Sequence, residues 1–175
     1  MIGFRIGTFL TAILTLLATG CGGGKDSAEE IRSFSLDDYS PTPATAGVAA
    51  DPEVTYDGGG SIRISVSGRA ELELARIDEI DVEEAFLIYR AALRAEGLDG
   101  TAYLVMWCSF PGRGEFFSKG LDQALSGDSD WKVVSAMPFR LRKGENPESV
   151  TLNLYVEGSG TVWIDDIRLL RADLE

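Results

Sequence analysis

From Ser33 onward, apolar residues recur at every second position, and clusters of Gly, Pro, Asp and Asn interrupt them. A period of two marks strands with one buried face and one wet face. Ile62, Ile64 and Val66 share one face, Leu72 and Leu74 another, and Val150, Leu152, Leu154 and Val156 repeat the pattern. Trp131, Val133, Met137, Phe139 and Leu141 form a longer stripe, expected to point inward. It runs through an edge or bend at Pro138, because proline cannot donate to a central ladder. The turn signals Asp57-Gly58-Gly59-Gly60, Leu98-Asp99-Gly100, Gly127-Asp128, Gly144-Glu145-Asn146-Pro147 and Gly158-Ser159-Gly160 should separate the strands. The segment 82–94 is rich in helix formers. Yet Phe86, Ile88, Arg90 and Ala92 against Ala85, Leu87, Tyr89 and Leu93 also fit a strand covered on both sides, and the strands around it need partners. Strand is therefore the expectation there, with a short helical turn at 121–125. Half-buried strands in such number must cover each other's apolar faces. The expected fold is all-β, two antiparallel sheets packed as a β-sandwich.

The first residues follow a different rule. Arg5 precedes an apolar run from Ile6 to Ala18, too short to span a bilayer, and Ala18-Thr19-Gly20-Cys21 supplies small residues at a cut. This reads as a bacterial lipoprotein signal peptide over 1–20 with Cys21 as the lipidated residue, although Leu17 sits one place ahead of the usual lipobox leucine. Two acyl chains on Cys21 would make residence at the membrane durable, where one holds a protein only marginally. Residues 21–32, nearly devoid of apolar side chains, read as a flexible tether, and 33–175 as one domain. The expected address is the bacterial cell envelope, with membrane contact through the lipid anchor only.

Composition then removes function classes. Sixteen basic side chains stand against 28 acidic ones, a net charge of −12. Nucleic acid and anionic headgroups are poor partners for such a surface, since binding them rests on basic side chains displacing counterions. There is no histidine, which removes imidazole bases, histidine-activated nucleophiles and the usual zinc sites. Once Cys21 carries lipid, Cys108 is the only thiol left and no disulfide can form within the domain. It lies in Tyr103-Leu104-Val105-Met106-Trp107-Cys108, apolar on both alternating faces, where a buried small hydrophobe is expected.

Gly160-Thr161-Val162-Trp163-Ile164-Asp165-Asp166-Ile167-Arg168-Leu169 resembles the closing strand of carbohydrate-binding modules with the galactose-binding-like jelly-roll fold. Asp130-Trp131 with Pro138-Phe139 is similar to their penultimate region, and Asp57 to Ile64 to an early glycine-serine strand. Phe34-Ser35-Leu36-Asp37-Asp38 is similar to their opening strand. The resemblance implies a galactose-binding-like jelly roll over Ser33 to Arg171. It also implies a structural calcium tying the closing strand to the opening one, nominating Asp165 or Asp166 with Asp37 or Asp38. Independently, the apolar phase changes from Val162 and Ile164 to Ile167 and Leu169, so either a bulge sits at Asp165-Asp166 or Asp165 is a buried carboxylate requiring a cation or an arginine. The plainer alternative has these acids capping turns, with Arg168 or Arg32 as an exposed pair. No contiguous calcium loop is present.

Glycosidase chemistry needs two carboxylates in a shielded cleft with one pKa raised. Pairs such as Asp78 with Glu79, Glu83 with Glu84, or Glu115 with Asp128 have no such setting in the sequence, so a non-catalytic binder is expected. The stretch from Trp107 to Lys119 mixes aromatics, donors and acceptors. Trp107, Phe110, Arg113, Glu115, Phe116 and Phe117 are its candidate ligand-binding residues, because a sugar lays its C–H face on an aromatic ring while its hydroxyls take hydrogen bonds. Otherwise Phe116 and Phe117 plug one end of the sandwich. The expected partner is a glycan. The alternative is an envelope protein bound by an architectural or interaction domain with no sugar site.

Overall fold

The computed structural model describes residues 28–36 and 47–174. They form eight strands and one turn of 3-10 helix. The strands are β1 (Glu29–Phe34), β2 (Val48–Asp51), β3 (Ser61–Asp78), β4 (Ala85–Phe110), β5 (Gly114–Lys119), β6 (Leu125–Ser135), β7 (Phe139–Leu141) and β8 (Ser149–Asp173), and the helical turn is Leu121–Gln123. The segment 82–94 is strand from Ala85 on, and the helical turn lies where expected. β1 begins at Glu29, ahead of the expected domain start at Ser33, and pairs with β8. Cys21, Asp37 and Asp38 lie outside the described residues.

All pairing is antiparallel in one continuous hydrogen-bonded network. Its organising feature is the length of β3, β4 and β8. Leu98-Asp99-Gly100 and Gly158-Ser159-Gly160, expected as turns between strands, lie inside β4 and β8 and face each other, with Gly100 opposite Gly158. Gly68 of β3 is also opposite Gly158, and Gly127 of β6 is opposite Leu98. Gly68, Gly97, Gly100, Gly127, Gly158 and Gly160 all have positive φ, a conformation costly for any residue with a Cβ. This glycine row bends the long strands without reversing them, as at the corners of sandwiches whose strands pass from one sheet to the other.

Two layers result. The first contains β2, the start of β3, β1, the second half of β8, the first half of β4, and β6 with β7. The second contains the rest of β3, the first half of β8, the second half of β4, and β5. One core joins them: Ile62, Leu87, Tyr89, Leu93 and Ile164 from the first layer, Leu104, Met106, Cys108, Leu152 and Leu154 from the second. Cys108 is fully buried, and burial pushes its thiol up to about 12. Tyr89 is also fully buried, its pKa pushed far upward, and its hydroxyl has no hydrogen-bond partner among the described residues.

The stripe from Trp131 to Leu141 does not point inward as one face. Val134 and Ala136 are the buried positions, whereas Val133 and Met137 are exposed and Trp131 is half-buried. After Pro138 the phase changes, so that Leu141 is buried and Phe139 packs on Phe110. Val134 of β6 and Ala136 just after it meet the core, and the chain then breaks at Met137-Pro138 and restarts as the short β7.

Candidate functional site

β4 and β5 make a hairpin that places Trp107 opposite Phe117, Cys108 opposite Phe116 and Ser109 opposite Glu115. Opposed residues share a face, so the aromatic segment divides between the two sides of the second layer. Trp107, Glu115 and Phe117 lie on its outer, solvent side. Phe110 and Phe116 lie on the core side, with Phe110 buried and Phe116 at the rim, 43% exposed. The sequence placed all six candidates in one loop; the structure puts them on two faces.

On the outer side the Trp107 and Phe117 rings are 5.0 Å apart, and the Lys119 ammonium stands 4.8 Å from the Phe117 centroid. Across the same face Tyr103 and Tyr155, directly opposed on β4 and β8, stack at 4.9 Å, with the Arg69 guanidinium 5.9 Å over Tyr155. Between the two aromatic pairs lies a polar bridge. Glu71 Oε1 accepts from Trp107 Nε1 at 3.2 Å and from Asn153 Nδ2 at 2.8 Å. The Asn153 amide oxygen is buried and has no hydrogen-bond partner among the described residues, which is uncommon for a buried acceptor. Tyr103, Tyr155, Glu71 and Asn153 were missed in the sequence. Their signal was the run Tyr103-Leu104-Val105-Met106-Trp107-Cys108, apolar on both faces, in which Tyr103 and Val105 are indeed buried and Trp107 is half-buried.

On the core side, Phe110, Phe116 and Phe139 meet at the end of the sandwich, Phe110 edge-on to Phe116 at 5.8 Å and nearly parallel to Phe139 at 6.2 Å. Arg113 reaches over Phe110 and Phe116 and pairs with Glu145 at 3.0 Å. With Arg140 and Arg142 these residues enclose an open pocket of about 250 Å³.

The closing strand settles the phase question on both counts. Ala92 faces Asp165 and Arg90 faces Arg168, so β8 carries an extra residue between them, and Asp166 has φ +48°: a bulge. Asp165 is also fully buried. Among the described residues its hydrogen-bond partners are backbone N–H groups, Tyr56 N at 2.8 Å and Asp166 N at 2.7 Å. Burial raises its pKa and these bonds work against the rise. Asp166 pairs with Arg168 at 2.8 Å. Calcium takes about six to eight oxygen ligands, and no group of three acidic side chains gathers at these positions among the described residues. The described residues alone do not build a calcium cage. Trp163, nearby, donates to Asp51 at 2.9 Å and lies under the Arg94 guanidinium, while Trp131 packs against Tyr56.

No protein-family model matches the chain, and no curated protein matches it. Solved structures do. A xylan-binding domain of family 22 from Paenibacillus barcinonensis is 12% identical, covering 85% of this chain and 98% of its own, at a TM-score of 0.58. A family 22 carbohydrate binding module of Clostridium thermocellum, from work concerned with residues in its cleft, is 10% identical over 83% of this chain and 96% of its own, at 0.52. The enzymatically active domain of a tailspike protein from bacteriophage CBA120 also matches, 11% identical over 71% of this chain and 18% of its own, at 0.53. At such identities the likeness is one of fold: the chain is a carbohydrate-binding-module-like β-sandwich.

Proposed function

We propose that this domain binds a glycan, without turning it over, on the outer face of its second layer, and that Cys21 anchors it by lipid to the bacterial cell envelope. The observation that carries the glycan reading is the row of aromatic rings along one outer sheet face, exposed at Phe117, half-buried at Trp107 and Tyr155, and buried at Tyr103. Tyr103 with Tyr155, and Trp107 with Phe117, flank the hydrogen-bonded Glu71 and Asn153. Four residues of β4 separate the platforms, about 13 Å at 3.3 Å per residue. That length suits several linked rings and not a lone monosaccharide. Sugar C–H faces would lie on the exposed parts of the rings, and hydroxyls would take hydrogen bonds from the polar side chains around them. The fold likeness to xylan-binding domains supports the reading.

The test is a glycan array probed with the chain lacking residues 1–20 and carrying Cys21→Ser, in calcium and in chelator. A neutral oligosaccharide should bind, and Trp107→Ala or Phe117→Ala should weaken it at least tenfold with the melting temperature almost unchanged, because neither ring fills the core. Stable variants of a wild type that binds no glycan would favour the architectural reading, for which exposed Val133 of β6 and Met137 just after it offer a protein contact. Mass spectrometry of the native chain should find Cys21 diacylated; an unmodified, soluble native product would remove the anchor.

A further inference from the structure

Beyond the sheet face, the pocket at the end of the sandwich has a chemistry of its own. Its floor is apolar: the rings of Phe110, Phe116 and Phe139. Its wall is basic, with Arg113, Arg140 and Arg142 against the single carboxylate of Glu145. That carboxylate is already committed, one oxygen to Arg113 Nη2 at 3.0 Å and the other to the Arg142 backbone N–H at 2.9 Å. Those bonds, the backbone one foremost, hold its pKa below the ordinary value. Arg140 and Arg142 make no salt bridge among the described residues. A net positive hole in a chain of net charge −12 is a local reversal of the protein's field, and such reversals attract anions.

We propose that this pocket binds one uronic acid residue of an acidic polysaccharide, its carboxylate held by Arg140 and Arg142 and its ring laid on the phenylalanine floor. Guanidinium groups match a carboxylate in planar, charge-assisted pairs. A phosphate or sulfate would use the same arginines but has no apolar face for the exposed Phe116 and half-buried Phe139 rings. The volume, about 250 Å³, lies below the roughly 300 to 1,000 Å³ of pockets for drug-sized ligands, so a single ring fits and not a chain. Phe116 and Phe117 are neighbours on β5 with opposite faces, which puts the pocket around the sheet edge from the aromatic platforms. The proposal rests on the reading of the domain as a glycan binder, and names a second, acidic specificity for it.

Titration calorimetry of the chain lacking residues 1–20 with Cys21→Ser would use galacturonate and glucuronate oligosaccharides, each also as its methyl ester, which keeps the ring and removes the charge. One acid should bind at least tenfold more tightly than its ester at low salt. Arg140→Gln with Arg142→Gln should abolish that preference while leaving neutral-glycan binding unchanged, and Arg140→Lys with Arg142→Lys should restore part of it. Acid and ester bound alike, neither bound, a preference surviving the double glutamine variant, or inorganic phosphate displacing the acid with equal affinity would each overturn the proposal. Trp107→Ala separates the two sites. Loss of neutral-glycan binding there, with the acid preference absent from the wild type, sinks only the pocket; an acid preference with no neutral binding sinks only the platform.

Discussion

Gly158 offers the sharpest test of the bent-strand architecture. Its φ is +113°, and a Cβ built there would stand 1.8 Å from the Asp99 carbonyl oxygen and 2.7 Å from its carbon, both backbone atoms of the facing strand. Neither can swing aside as a side chain would. Gly68, across the ladder on the other flank of β8, has φ +129° but nothing within 4 Å of such a Cβ. The two glycines therefore separate backbone strain from collision. Strain in a sparsely populated region costs about 1–3 kcal/mol, and this is all that Gly68→Ala should lose. Gly158→Ala adds overpacking of about 1–3 kcal/mol and weakens ladder hydrogen bonds worth about 0.5–1.5 kcal/mol each. Its expected loss is about 3–6 kcal/mol, a large part of the roughly 5–15 kcal/mol that holds a domain together. At about 2–4 °C per kcal/mol, calorimetric melting should fall by some ten to twenty degrees for Gly158→Ala and by only a few for Gly68→Ala. Equal losses, or a Gly158→Ala protein melting like the wild type, would refute the claim that β4 and β8 touch at this corner.

Tyr89→Phe removes a buried hydroxyl that has no partner among the described residues and should stabilise by about 1–3 kcal/mol in urea unfolding; a lower midpoint would show that the hydroxyl is hydrogen-bonded in solution. Cys108, buried with its thiol pushed up to about 12, should resist iodoacetamide at pH 8 in the native chain and react on unfolding, as read by peptide mapping; native alkylation at the rate of a free thiol would contradict its place in the core. Asp51 has its carboxyl lowered below 3.8, chiefly by the hydrogen bond from Trp163. A depressed folded-state pKa stabilises above the unfolded value and is lost as pH falls through the folded one. The stability gap between wild type and Asp51→Asn, measured by chemical denaturation, should therefore be full at pH 6 and close below about pH 3.8; a gap that widens in acid would reverse the assignment.

Strand content, the burial of Ile62, Ile64 and Val150 to Val156, and the strand at 82–94 were legible because alternation in side-chain character maps directly onto the two faces of a sheet. The glycine corner was half legible. Glycine-rich triplets at 98–100 and 158–160 announce positive φ, but positive φ serves a bend as readily as a reversal, and only the pairing of Gly100 with Gly158 tells them apart. Parity failed at Trp131 because the largest side chains were taken as the inward ones, whereas small Ala136 and Val134 fit beneath the first layer. The candidate site was legible in kind and not in place. An aromatic segment was visible at 107–117, but which rings face water depends on cross-strand register. Tyr155 and Asn153 join Trp107 only through β8, more than forty residues away. Asp165 was legible as a carboxylate needing a partner. That the partner is the Tyr56 backbone N–H depends on a loop whose course alternation does not encode.

β8 lies at the centre of both layers, flanked by β3 and β4 in one and by β1, β3 and β4 in the other, and it follows every other strand in chain order. Without it β2 with β3, and β4 with β5, β6 and β7, stay two unconnected groups, because among the described residues β3 and β4 have no ladder to each other. During synthesis β3 can pair with β2, and β4 with β5, β6 and β7, but the two groups cannot join, nor β1 find its ladder, until residues 149–173 arrive. Contacts so distant along the chain make folding slow, which favours any holding factor that meets the nascent chain. Under the export proposed above the same delay is an asset: the chain can be threaded through a membrane pore before its two strand groups are joined, and it completes its structure only after β8 has crossed.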